Sequence, residues 1–501
     1  MKCPSLCYAA WLLAALWIPV IGAASAQSGS ASGDRATTPS RIADRPWEEE
    51  IVYTMFLGNF VDGDTSNNVM LDAYGPLLGV DANGVNHGGY LGGDLAGVIQ
   101  KLDYFADLGI TTLFLSPIVQ NDRTGFFGYY AGGYRTRDYH AIDENLGTTD
   151  TLLQLMDGAH ARGIRVMFDM PLALCGIENP LNTPANAANG TFDGYGWGMP
   201  IWNADKPAVA AYLTEVATFW RDLTGCDGLR VDSGQLLSNA FWTTFAAQVD
   251  GHADPDNLFL MAEVTSSPAE IGSFLSQTKF DSAYDFSFLA SQGVFGANQN
   301  VSGLNFVIQQ AAQHYPNPGR MCSEIDNYSD TFAGKSQAPV SDRTKLALAF
   351  LLTMNRIPIL YAGDEIGYWN RVPGDVFDPA NGDQSIKPYL RQLIALRKSH
   401  PALSRGNFTR VQSANTIFAY TRAFGGSTVL VVTNNSGESK SVSYSSLGAS
   451  WQSLQLYDLM QNQVVKPAGS TASVSVPPYS AVILEVGNGT SGIAEAWTQY
   501  D

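Results

Sequence analysis

Eight short apolar or β-branched runs, separated in several places by longer amphipathic stretches, predict an α/β fold led by a (β/α)8 TIM barrel. A tail in which strand-like runs continue while helical periodicity fades predicts a smaller antiparallel β-sandwich behind it. A chain of 501 residues, 45% apolar and only 15% charged, has the length and composition for one large domain and one small one.

The elements can be justified in chain order. Lys2 precedes an apolar run from Tyr8 to Ile21, and Ala24-Ser25-Ala26 sets a small-x-small pattern before Gln27. That is the layout of a secretory signal over 1–26, too short and wrongly flanked for a spanning helix; a retained anchor is the other reading. On the signal reading the mature protein is secreted or periplasmic and has no membrane partner. Residues 27–46, rich in Ser, Ala, Gly and Thr, read as a flexible leader.

The barrel is expected over 47–403. Its strands fall on Ile51–Leu57, Ile110–Leu115, Ile164–Phe168, Gly228–Val231, Leu258–Ala262, Phe280–Tyr284, Met321–Ile325 and Ile357–Leu360. Helical patterns lie between several of them, at Leu95–Leu108, Leu152–Ala161, Ala208–Leu223, Arg343–Met354 and Pro388–Lys398. An open doubly wound sheet would show the same alternation, so periodicity alone leaves closure open. A short excursion is expected after the third strand, at about 171–203. The sandwich is expected over 404–487, with strands at Thr428–Thr433, Val474–Val476 and Ala481–Val486, and 488–501 reads as a loose tail.

Lys and Arg number 29 against 47 Asp and Glu, a formal charge of −18. That argues against nucleic acid or an anionic membrane as partner, since both attract basic surfaces. Once the signal leaves, Cys175, Cys226 and Cys322 remain, with no metal-ligand spacing and room for one disulfide at most.

In a barrel of this kind catalytic side chains emerge at the C-terminal ends of strands. Asp232, Glu263 and Asp326 stand at such ends, after the fourth, fifth and seventh runs. Asp232 and Glu263 are one βα unit apart and would face one cleft. A carboxylate pair across a cleft, roughly 5–5.5 Å apart, is what retaining glycoside hydrolysis needs. Arg230 lies two residues before Asp232, so in a strand it points to the same side, where its charge favours an ionised carboxylate. Strand-end acids also cap helices or pair with nearby bases, and spacing alone does not separate the two readings.

Gly228-Leu229-Arg230-Val231-Asp232 resembles the fourth-strand motif of the α-amylase family, the glycosidases that act on starch-like α-glucans. Met261-Ala262-Glu263-Val264 is similar to its fifth-strand motif, and Ile164–Asp169 to its third. The stretch from Arg356 through Tyr361-Ala362-Gly363-Asp364-Glu365 to Gly367 is the most specific match, to the eighth-strand segment. Gly133–Tyr139 and Leu146-Gly147-Thr148 resemble the segment before the third strand. The resemblance runs from about Tyr53 to Pro401, and the family also carries a C-terminal sandwich. It implies Asp232 as nucleophile, Glu263 as acid/base and Asp326 as a third acid gripping the distorted sugar, with Tyr134 stacked on that sugar. Asp330 fits the third motif with one residue inserted, and Asp326 is preferred because it directly ends its apolar run.

The same resemblance implies a Ca²⁺ site near the first strand, with Asp62, Asp64, Asn67, Asn68, Asp94 and the Gly92 carbonyl as hard oxygen ligands. An Asx-rich turn without an ion is the other reading. Elsewhere the chain departs from the family. Ala173 and Leu174 stand where the third-strand motif continues to Asn and His, Gln235 and Leu236 follow the nucleophile where Lys-His is common, and Ile325 replaces the usual His before the third acid. Ile201 stands where an Asp would join that Asn, so the family's other calcium site is expected to be absent. The implied function is hydrolysis of α-glucosidic bonds in starch-like glucans or maltooligosaccharides. A glucanotransferase of the same family, or a non-catalytic glucan-binding protein on an amylase frame, are the alternatives.

Overall fold

Residues Val52–Met55 (β1) and Thr112–Leu115 (β2) open a sheet of parallel strands that continues through Arg165–Met170 (β3), Gly228–Val231 (β4), Phe259–Ala262 (β5), Ser282–Ala283 (β6), Cys322–Glu324 (β7) and Ile357–Tyr361 (β8). The computed structural model describes residues 45–69, 90–123, 132–250, 258–286, 301–327, 340–367, 382–443, 454–466 and 473–487. The expected signal, nearly all of the expected leader, the expected tail and Asp330 therefore lie outside the described residues. The strand order is 6-5-4-3-2-1-8-7, and a parallel bridge from Tyr284 to Cys322 joins β6 to β7 and closes the ring. Every strand falls on one of the eight apolar runs.

Those runs are largely apolar because a barrel strand is buried on both faces. Alternate residues divide between two cores. Val52, Phe114, Met167, Phe259, Met261, Ile357 and Ile359 fill the interior, and Tyr53, Leu113, Val166, Leu229, Leu260 and Leu360 pack outward against the helices. Trp47 stacks on Phe259 at 3.9 Å, and Arg165, paired with Glu50 at 2.6 Å, lies over Trp47.

All five expected helices are present, at Thr149–His160, Pro207–Thr224, Val340–Thr353 and Ile386–Ser399, with the first divided into Leu95–Gln100 and Leu102–Leu108. The break is at Lys101, whose amide turns to the Val98 and Ile99 carbonyls, a tightened 3-10 turn. Three further helices, Asn239–Val249, Pro268–Thr278 and Ser302–His314, complete the outer layer. The second carries a start signal visible in sequence: Ser267 and Glu270 form a capping box, with Pro268 at the first helical position.

The excursion after β3 contains a short helix, Pro184–Ala188, and an antiparallel hairpin of Phe192–Gly196 with Met199–Trp202. The C-terminal strands are Asn407–Ala414 (β9), Ile417–Phe424 (β10), Ser427–Asn434 (β11), Lys440–Ser443 (β12), Gln455–Asp458 (β13), Gln463–Lys466 (β14), Ser473–Val476 (β15) and Ser480–Gly487 (β16). Six form an antiparallel sheet in the order 9-10-11-16-13-14, and β12 pairs with β15 in a two-stranded ribbon. One face of the sheet (Ala419, Leu430, Val432, Leu484) packs on Val442, Val474 and Val476 of the ribbon. The other face (Phe418, Tyr420, Val429, Val431, Ile483) joins the barrel's outer core. Cys175, Cys226 and Cys322 are buried and no disulfide joins any two of them, so the single disulfide the count allowed is not formed.

Candidate active site

Strand register builds the site. Asp169 of β3 and Arg230 of β4 are direct partners, as are Val231 of β4 and Ala262 of β5. Asp232 and Glu263 follow one residue beyond that last pair, each anchored by its amide: Asp232 to the Met170 carbonyl at 3.1 Å, Glu263 to that of Val231 at 2.9 Å. Three carboxylates thus converge on one guanidinium. Arg230 Nη1 donates to Asp169 Oδ1 at 2.7 Å and Oδ2 at 2.8 Å and to Asp232 Oδ1 at 2.7 Å, while Nη2 pairs with Glu263 Oε2 at 3.0 Å. Its far side lies over the Tyr284 ring.

Access separates the three acids. The Asp169 side chain is 1% exposed, against 13% for Asp232 and 20% for Glu263, so the last two are those a ligand can reach. Burial and the neighbouring Asp232 carboxylate push the Glu263 carboxyl up to about 7, outweighing the opposing pull of Arg230 and of the Ser233 amide. Burial likewise raises Asp169 to about 6, against Arg230.

Sequence reasoning missed two members of this cluster. Asp169 was visible as the end of the third run, but only the register to Arg230 makes it part of the clamp. Ser233 is the other. Its backbone sits at φ +51, a conformation that non-glycine residues rarely hold, and there its amide donates to Glu263 Oε2 at 3.1 Å while its hydroxyl donates to Asp232 Oδ2 at 2.9 Å. Tyr134 touches the cluster through its hydroxyl, which donates to Asp169 Oδ2 at 2.7 Å. Asp326 is buried at the end of β7, and its charge adds to the burial that lifts Glu324 to about 8.

A family model for the α-amylase catalytic domain matches residues 54–187 and 195–393. The chain belongs to the α-amylase family. A second model, for the C-terminal domain of maltogenic amylases, matches 408–483. A cyclomaltodextrinase from Thermoanaerobacter pseudethanolicus is 27% identical over 470 residues, spanning 87% of this chain and 77% of that protein. One from a Bacillus species is 30% identical over 428 residues, 77% of this chain and 73% of that protein. The crystal structure of an Anoxybacillus α-amylase superposes with a TM-score of 0.78 at 25% identity, over 89% of this chain and 100% of that one. The protein is accordingly a glycoside hydrolase of the α-amylase type.

Within the α-amylase frame, the positions of the missing donors are put to other uses. Leu174 and Ile201 form an antiparallel bridge, flanked by hydrogen bonds from Trp202 N to Ala173 O and from Cys175 N to Pro200 O, both 3.1 Å. The two segments are thus joined by backbone pairing, with Leu174 and Ile201 at the bridge. Gln235 accepts from the Thr265 amide at 3.3 Å, tying the loop after β4 to the one after β5, and Ile325 is buried.

The six oxygen-bearing residues after β1 come together but do not all present free oxygens. Asp94 caps the helix Leu95–Gln100, and its carboxylate also accepts from the Gly63 and Asp64 amides and from Asn67 Nδ2. Asp64 is exposed and closes its own turn on Ser66. Asn68 donates to Asp62 Oδ2 and accepts from the Tyr90 hydroxyl. Asp62 Oδ1 and Asn67 Oδ1 are buried and have no hydrogen-bond partner among the described residues. Gly92, at φ +90, makes room: a Cβ there would stand 2.7 Å from Asp62 Oδ2. Two orphaned buried oxygens beside a glycine fit a hard cation.

Proposed function

We propose that this enzyme hydrolyses α-glucosidic bonds in starch-like glucans or maltooligosaccharides by double displacement. The observation that carries the reading is the pair of accessible carboxyls on one guanidinium, of which Glu263 is raised to about 7. The two carboxyls lie on the two terminal nitrogens of one guanidinium, Asp232 at 2.7 Å and Glu263 at 3.0 Å, a closeness that suits a nucleophile and acid/base pair better than the roughly 6.5–9.5 Å separation that inverting enzymes need. Glu263, protonated, gives its proton to the leaving glycosidic oxygen as an Asp232 oxygen bonds to the anomeric carbon. Glu263, now a carboxylate, takes a proton from water as that water displaces Asp232, and the free sugar leaves. Arg230 holds both acids in place, Tyr134 stacks on the sugar, and Asp326 is the third acid. That relatives are named cyclomaltodextrinases supports a substrate among α-linked glucose oligomers. The signal-like first 26 residues support export to the periplasm or medium.

The test is turnover of starch, maltooligosaccharides and cyclodextrins by the purified chain, with products resolved by chromatography. Hydrolysis products are expected, with kcat/KM falling as pH rises through about 7, because Glu263 must be protonated to act first as an acid. Products longer than the substrate would instead identify a sugar as acceptor and the chain as a transferase. Failure to cleave any member of the panel would overturn the reading, and glucan affinity without turnover would leave a binding protein.

We further propose that Asp62 and Asn67, with Asn68 and the Gly92 carbonyl, hold Ca²⁺ in the loop after β1. Its chemistry there is structural: it neutralises Asp62 and supplies the orphaned oxygens with a partner. Calcium at about 100 times its dissociation constant is expected to stabilise the fold by about 2.7 kcal/mol. Differential scanning calorimetry with and without chelator reads this as a fall in Tm, which Asp62→Ala should remove. A chelator-insensitive Tm in the unaltered chain would leave the Asx-rich turn without an ion.

A further inference from the structure

The hairpin after β3 carries two aromatic side chains that its own fold does not use. Gly196 pairs with Met199, so Trp197-Gly198 is a two-residue turn, with φ of +49 and +78. Positive φ at both central residues is the type I′ arrangement, for which Asn-Gly is the favoured pair and a bulky aromatic is strained. A tryptophan therefore occupies the position least suited to it. It gains no packing in return, being 65% exposed, and Tyr195, two residues earlier, is 68% exposed.

The base of the hairpin is fixed. Met199, Pro200 and Trp202 on the returning strand are buried, and the Leu174–Ile201 bridge ties that strand to the chain leaving β3. The two rings are thus presented from a rigid support. Asp193 is the sole charged residue from Phe192 to Trp202, so the ligand that suits this tip is neutral, with flat apolar faces. The hairpin belongs to the connection after β3, whose end carries Asp169, so it rises from the same end of the barrel as the carboxylate cluster. Nine residues and one bridge separate Trp197 from Asp169, which limits their separation to about 35 Å.

We propose that Tyr195 and Trp197 form an accessory binding platform for α-glucan chains, packing on the apolar C–H faces of glucose rings at a point beyond the bond being cleaved. Resting on the glucan reading above, the platform holds long chains and contributes nothing to short ones. Exposed aromatic anchors contribute measurably at binding surfaces, and loss of both should weaken binding about tenfold, or about 1.4 kcal/mol.

Trp197→Asn is the informative variant, because Asn-Gly suits the turn and the hairpin should keep or gain stability; Tyr195→Thr keeps a strand-forming residue. Affinity electrophoresis of the full chain through gels containing amylopectin, with dextran as the control, reads binding without turnover. The double variant is expected to lose about tenfold in amylopectin affinity, with Tm unchanged and kcat/KM on maltotriose within about twofold of the parent. Unchanged retardation in a parent chain that does cleave glucans would overturn the platform and leave the hydrolase. A parent chain neither retarded by nor active on any α-glucan would overturn both. Retardation lost in the variant from a parent that cleaves nothing would support the platform while the hydrolase reading fell. Self-association through the hairpin, with glucan affinity unaffected in the variant, would make this a contact between copies and would also overturn the proposal.

Discussion

Glu263→Gln is expected to lower kcat by roughly 10²–10⁴-fold while making the folded protein more stable at alkaline pH. The activity loss follows from the proton: an amide has none to give the leaving oxygen and cannot take one from water. The stability gain follows from the same carboxyl's environment. Glu263 sits at about 7 in the folded state against an ordinary 4.5, because burial and Asp232 oppose its ionisation. Between those values the folded chain holds a proton that the unfolded chain has released, so stability falls as pH rises through this window. The full difference corresponds to about 3 kcal/mol at pH 8. Glutamine removes the titration but also the ionic contact with Arg230 at 3.0 Å, so a net gain of about 1–2 kcal/mol is expected at pH 8 and little change at pH 4.5. Urea denaturation of both proteins at the two pH values reads this directly. A variant less stable than its parent at pH 8 would mean that Glu263 serves the fold, and retained turnover would remove it from the chemistry.

That coupling of cost and function explains why part of the site was legible in sequence and part was not. Asp232 and Glu263 each follow a short, largely apolar run, and such runs stand out because barrel strands bury both faces. Asp169 ends a run as well, yet its role depends on standing opposite Arg230 across β3 and β4, and register between strands about 60 residues apart leaves no mark on either one. Ser233 was hidden for a different reason, since its contribution comes from a backbone conformation rather than from a residue type. The helices at 239–249 and 268–278 follow the rules that found their neighbours: Phe241, Phe245 and Val249 recur at helical spacing and are buried. The C-terminal sheet shows the limit of pattern reading. β9 alternates poorly because none of its residues is buried, and β10 carries an arginine where an apolar residue would be expected.

That arginine, Arg422, underlies the largest stability effect expected away from the active site. Although fully buried, it meets no carboxylate among the described residues. It donates instead to the carbonyls of Thr353 at 2.6 Å, Leu403 at 2.7 Å, Gly406 at 2.8 Å and Ser404 at 3.4 Å. Thr353 ends the helix Val340–Thr353, whose last carbonyls lack partners within the helix, and 403–406 is the turn that leads into β9. One guanidinium therefore satisfies the chain ends on both sides of the junction between barrel and sheet. Arg422→Met keeps the bulk and removes every donor, leaving buried acceptors at about 1–3 kcal/mol each before relaxation. A loss of roughly 3–5 kcal/mol is expected, or about 4 °C in Tm for a unit of this size, whereas Arg410→Met on exposed β9 should change stability by less than about 0.5 kcal/mol. Arg397 donates to the same Leu403 carbonyl at 2.9 Å and to those of Leu352 and Met354, so the two arginines share a partner. The double variant Arg397→Met with Arg422→Met should then depart from the sum of the single losses, whereas sites that act apart would add. Strict additivity would show that the two arginines act apart, and an Arg422→Met protein as stable as its parent would show that barrel and sheet are held by apolar packing alone.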